Sequence, residues 1–153
     1  MNSNLNFETF KQEAHEYIND LATELEHPEE KERVLRIWRS VMFTIRDRID
    51  FNEAFLLMQP LPTILRGIYI ESWEYSKKPK LDYSTLEEMK SEVKKNQRKK
   101  GEKDFPWKLS TEEIITITIK SLNKYISLFQ ITDIINQMPG EIKTYLNQKI
   151  KAE

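Results

Sequence analysis

The residues best suited to chemistry in this chain are few and widely spaced. It has two histidines, His15 and His27, and no cysteine. A thiolate zinc site, a disulfide framework and a Cys nucleophile are therefore excluded. Glu24-Leu-Glu-His27 has the Glu-x-x-His spacing that puts two metal ligands on one helical face. Di-iron carboxylate centres need a second such motif and two further glutamates. The nearest match, Gln12-Glu-Ala-His15, carries Gln where Glu is required. His27 also precedes Pro28 at a helix break and reads as a surface histidine. The three glycines, at 67, 101 and 140, cannot form a Gly-rich phosphate loop, and no Ser-His-Asp arrangement or dinucleotide fingerprint occurs. The sequence thus assigns no metal ligand, catalytic residue or cofactor.

Two constellations remain. In Leu61-Pro-Thr-Ile-Leu-Arg-Gly-Ile-Tyr-Ile-Glu-Ser-Trp73, Pro62 can open a helix without wasting an N–H. Leu65, Tyr69 and Trp73 then fall on one stripe, and Arg66 lies one position round from it. Arg66 either ties helices together through carbonyls or an acidic partner such as Glu53 or Asp50, or forms a site for a small anion or acidic peptide. Gly67, costly in mid-helix, reads as permitting close helix approach. The second constellation is Lys94-Lys-Asn-Gln-Arg-Lys-Lys-Gly-Glu-Lys103, whose Lys94, Lys95, Arg98, Lys99 and Lys100 could meet phosphates. Cations near a helix C-terminus also simply favour the dipole. No aromatic falls between Tyr83 and Phe105, so the run lacks its own stacking platform. The sequence pI of about 6.2 is far from that of a dedicated nucleic-acid binder.

The elements that must position these residues are helices. Proline and glycine fall where apolar periodicity stops or starts. An amphipathic helix over 6–25 places Phe7, Phe10, Ala14, Tyr17, Leu21 and Leu25 inward and Glu8, Glu13, Glu16, Asp20 and Glu24 outward. Pro28 opens a second helix, to about Ile49, laced on its solvent side by Glu29/Arg33, Glu32/Arg36 and Arg46/Asp50. A short helix over 52–58 follows, then one from Pro62 through Trp73. After a connector at 77–83, Ser84-Thr-Leu-Glu87 caps a polar helix to about Lys100. Ser110-Thr-Glu-Glu113 caps another, to about Phe129. Two short helices, at 132–137 and 140–150, complete the chain. Ile115-Thr-Ile-Thr-Ile119 alternates as a strand would, but the spacing of Ile115, Ile119, Leu122, Ile126 and Phe129 favours helix. Phe105-Pro-Trp107 should pin its loop onto the core.

Sliding the chain by 77 residues lays Leu61-Pro62 on Met138-Pro139 and Arg66 on Lys143. The expected architecture is one all-α domain over 1–153, of seven or eight helices in two pseudo-repeated halves, about 6–76 and 84–150. Glu53-Ala54 together with Leu61, Pro62, Leu65, Arg66, Gly67, Tyr69 and Trp73 resembles the signature of the bacterial domain of unknown function family 2267. That resemblance implies an all-helical fold of two related halves and carries no activity with it.

The chain has 153 residues, 39% apolar and 32% charged, with a formal net charge of −1. That apolar content with so little net charge excludes a disordered chain. The charge is unevenly spread, with 8 basic and 14 acidic residues in 1–76 but 11 and 6 in 77–108. Without a basic n-region or a long apolar run, the expectation is a cytoplasmic protein with no transmembrane segment. The leading functional expectation is a non-catalytic interaction module with a protein partner, including a second copy of itself. A ligand site or enzyme centred on Arg66 is the alternative, and nucleic-acid contact through 94–103 the third.

Overall fold

A computed structural model of the chain describes residues 6–99 and 105–151, and among them there are eight α-helices and no strand. Gly101 and Lys100 lie outside the described residues. The first helix, α1 (Phe7–Glu24), is capped by Asn6, whose side chain accepts from the Thr9 N–H. Its buried stripe starts at Ala14 and runs through Tyr17, Ile18 and Leu21. Phe7, expected inward, is 76% exposed because the first two turns precede that packed stripe.

Just beyond α1, Glu26 has a φ of 65° that lets the His27 N–H reach the Ala22 carbonyl. Pro28 then occupies a turn closed by the Glu30 N–H on the His27 carbonyl, so it precedes the next helix rather than opening it. Helix α2 (Lys31–Arg46) is buried almost continuously from Val34 onward. Helix α3 (Phe51–Met58) leads through Pro60 and Pro62 into α4 (Thr63–Tyr69). Contrary to expectation α4 stops before Trp73, and the Leu65/Tyr69 stripe is two residues long. Residues 70–85 form no helix.

Helix α5 (Leu86–Lys99) is capped one residue later than Ser84/Glu87 predicts. The Thr85 hydroxyl accepts from the Glu88 N–H, and the Glu88 carboxylate accepts from the N–H groups of Ser84 and Thr85. Helix α6 (Thr111–Ser121) has the expected Ser110/Glu113 capping box, and its Ile115–Ile119 stretch is helical with Ile115 and Ile119 buried. It does not reach Phe129. A 3-10 turn (Leu122–Lys124) intervenes, and a second capping box, Ser127 with Gln130, starts α7 (Leu128–Ile135). Helix α8 (Gly140–Lys151) closes the chain.

Helices α2 and α6 form the central pair and touch each other. Helix α2 also packs on α1, α4 and α5, and α6 on α5, α8 and α1. Exchanging the halves carries these α2 pairings onto those of α6, but the contact between α1 and α4 has no counterpart as extensive between α5 and α8. Helix α3 at 51–58 and α7 at 128–135 are offset by 77 residues at both ends, and α4 and α8 start at 63 and 140. Buried positions share that offset: Trp38 and Ile115, Ile45 and Leu122, Ala54 and Ile131, Leu65 and Ile142. The core holds Trp38, whose indole N–H donates to the Tyr17 hydroxyl, which in turn pairs with Ser121. None of the described helices is long and apolar enough to cross a membrane.

Candidate functional site

The 61–73 segment is built from α3, α4 and the chain that follows. Pro62 is buried, with extended backbone that starts α4, and Leu65 and Tyr69 are fully buried. The Tyr69 hydroxyl donates to the Ala54 carbonyl at 2.7 Å, fastening α4 to α3. Burial pushes this phenol above the ordinary tyrosine range, so it remains a donor at neutral pH. Arg66 is exposed and directs Nε and Nη2 at the Leu61 carbonyl, at 3.3 and 3.0 Å. Glu53 is half-buried and lines a separate cavity of about 420 Å³ between α3 and α7. Gly67 is exposed, and a Cβ built there meets nothing within 4 Å. The expected close helix approach at Gly67 is therefore absent. Trp73 stacks on Phe51 at 4.6 Å and meets Tyr69 edge-on at 5.6 Å.

A residue that sequence reasoning placed on the solvent side organises this region. Arg46 is 3% exposed and does not pair with Asp50 as expected. Its Nη1 donates to the carbonyls of Tyr69 (2.6 Å) and Glu71 (3.0 Å), just where α4 ends. Its Nε and Nη2 donate to the two Asp47 carboxylate oxygens, at 2.9 and 3.3 Å. The guanidinium lies 4.0 Å from the Phe43 ring centre and 5.6 Å from that of Trp73. Nearby, Arg48 holds the Tyr83 carbonyl, the Asp47 carbonyl accepts from Leu81 N–H, and the Tyr83 hydroxyl donates to the Thr44 carbonyl. The end of α2 thus holds down the non-helical 70–83 segment. The sequence signal for this was weak: Arg46 follows an apolar run, but its i,i+4 match to Asp50 pointed outward.

Two adjoining cavities flank Arg46, of about 370 and 230 Å³. The larger is walled by Phe51, Trp73, Tyr75, Lys78 and Lys80, the smaller by Arg39, Lys80, Asn96 and Lys99. Arg46, Asp47, Ser72 and Lys80 border both, so they form one cleft. Ser72 has φ 55°, a left-handed conformation unusual for a residue with a side chain, and it turns the wall towards Trp73. Arg39 pairs with Glu71 at 2.6 Å.

Of the basic run, Lys94, Lys95, Arg98 and Lys99 are exposed near the C-terminal end of α5, and Lys100 lies outside the described residues. Lys95 pairs with Glu92 at 3.4 Å. The structure does not bring this run to Arg66: Lys99 lines the cleft beside Arg46, and Arg66 borders none of the cavities described here. His27 is buried rather than on the surface. Its Nε2 accepts from the Lys108 N–H at 3.1 Å, and Phe105 and Trp107 meet it edge-on at 5.1 and 5.0 Å. This pins the 105–109 loop as expected. Among the described residues, no cluster of three or more His, Asp or Glu could hold a metal ion.

No curated protein matches the chain. A family model described as "Uncharacterized conserved protein (DUF2267)" matches residues 14–145, a span from the first buried residue of α1 into α8 that contains the whole Arg46 region. The chain belongs to the DUF2267 family.

Proposed function

We propose that the protein is a non-catalytic helical interaction module that associates with a second copy of itself through opposite charges. The observation that supports this reading is the separation of charge over two well-formed helices. On α1, Glu8, Glu13, Glu16, Asp20 and Glu24 are all exposed, whereas Lys94, Lys95, Arg98 and Lys99 are exposed near the end of α5. Complementary faces of this kind steer association and set register more than they add affinity. A cytoplasmic location, a bacterial source and descent of the two halves from one duplicated unit accompany this reading. The matched burial of Leu65 and Ile142 supports the duplication.

The Arg66-centred alternative has less support, because Arg66 spends Nε and Nη2 on the Leu61 carbonyl beside it. Sedimentation velocity across a concentration series tests the self-association. Dimers should form at low salt and dissociate as salt rises. Reversing Glu13 and Glu16 to Lys should abolish them, and adding Lys95→Glu and Arg98→Glu should restore them. A protein that remains monomeric at millimolar concentration in low salt defeats the proposal.

A further inference from the structure

The cleft beside Arg46 combines features that the basic run alone lacks. Its carboxylates are mostly committed: Asp47 to Arg46, Glu71 at its border to Arg39, and Glu92 to Lys95. Glu74 also stands in the wall. Among the described residues, Lys78, Lys80 and Lys99 form no ion pair. The Nε of Arg39 is buried and has no hydrogen-bond partner among the described residues. Three lysines outside any ion pair therefore line one concavity, with the unpartnered Arg39 guanidinium nitrogen buried behind it, an arrangement that favours an anion.

Lys78 and Lys80 share their cavity with an aromatic wall. Trp73 is backed by the stacked Phe51 ring, and Tyr75 meets Phe51 edge-on at 5.1 Å while remaining 69% exposed. An exposed ring held in place by a second ring is a ready stacking platform for a planar group. The left-handed Ser72 borders both cavities. Strained residues of this kind cluster at ligand clamps. The cavity dimensions suit a small organic ligand rather than a bare ion.

We infer that this cleft binds a nucleoside phosphate, the base stacking on Tyr75 and the phosphate held by Lys78, Lys80 and Lys99. The same chemistry comes from two sources, a free nucleotide or one residue of a single strand. The absence of an aromatic from the 94–103 run does not count against it, because the 72–80 segment supplies the ring from another part of the chain. The inference shares only Lys99 with the self-association reading, because Tyr75, Lys78 and Lys80 lie on neither α1 nor α5.

The experiment is calorimetric titration of the full chain with AMP, UMP and inorganic phosphate, alongside fluorescence anisotropy of a labelled ten-nucleotide single-stranded RNA. AMP and UMP should bind saturably and at least tenfold tighter than inorganic phosphate. Tyr75→Ala should weaken both nucleotides roughly tenfold and leave phosphate unchanged. Lys80→Glu should weaken all three probes. Both positions are exposed, and circular dichroism checks that the variants keep their helices. RNA binding tighter than AMP, with a steep salt dependence, assigns the strand as the source. RNA binding no tighter than AMP assigns the free nucleotide. The proposal is overturned if no probe binds at millimolar concentration, if inorganic phosphate binds as tightly as AMP, or if both variants bind like the parent.

Discussion

At position 46 the first half of the molecule buries an arginine; at the position 77 residues later the second half exposes an asparagine, Asn123. Several buried positions, and the packing of α2 and α6 on three neighbours each, recur at that offset, although α1 packs on α4 more extensively than α5 on α8. The difference follows from what comes next in each. Helix α4 stops at Tyr69 and hands over to sixteen non-helical residues, 70–85, whose first carbonyls need donors. Arg46 supplies them. Helix α8 continues past Leu146 to Lys151, so its interior carbonyls are satisfied within the helix and no clamp is needed. A shared apolar pattern is enough to pack both halves, and the buried cation belongs to the half that must hold an irregular segment in place.

The sharpest way to break this comparison is Arg46→Ala. Removing the cation leaves the Asp47 carboxylate and two carbonyls without their donor, and should cost about 3–5 kcal/mol. Asn123→Ala, at the matching position, should stay within about 0.5 kcal/mol. Urea unfolding of the two variants measures the contrast, and equal losses would show that Arg46 is not a clamp. Next in size are Leu65→Ala and Ile142→Ala. Both side chains are fully buried at matching positions, so each should lose about 3 kcal/mol and the two should agree closely.

Smaller effects separate the helix starts. Ser127→Ala removes the N-cap of α7 and should lower stability by about 1 kcal/mol. Asp50→Ala, at the start of α3, should change it by only a few tenths, since the Asp50 side chain makes no capping bond. Thermal unfolding of both variants resolves the difference. Last is Gly67→Ala, which should raise stability by about 0.5–1 kcal/mol, because the site is open and a helix interior favours Ala. A loss of stability there would restore the close-approach role expected of Gly67.

Much of the helical outline was legible because its signals are local. The Ser110/Glu113 box, the apolar-Pro pairs and the 3-4 spacing of apolar residues are set by neighbours within one or two turns. The same locality explains the misreadings. The Ser127/Gln130 box was written in the sequence but lay inside a stretch whose apolar spacing ran on past it, so α6 read through to about Phe129 and the next helix read as starting only at Thr132. Trp73 extended the Leu65/Tyr69 stripe on paper, yet the chain leaves the helix at Tyr69, where Arg46, distant in sequence, holds the freed carbonyl.

By itself, then, the sequence determined an all-helical chain without thiol chemistry and the order of most of its helices, both consequences of composition and short-range periodicity. Only the tertiary structure decided that Arg46 is buried, that His27 lies beneath the 105–109 loop, that a side chain at Gly67 would meet open space, and that Tyr75 shares a cleft with Lys99. Whether a charge or ring meets water depends on which distant segment folds across it, and no local pattern records that.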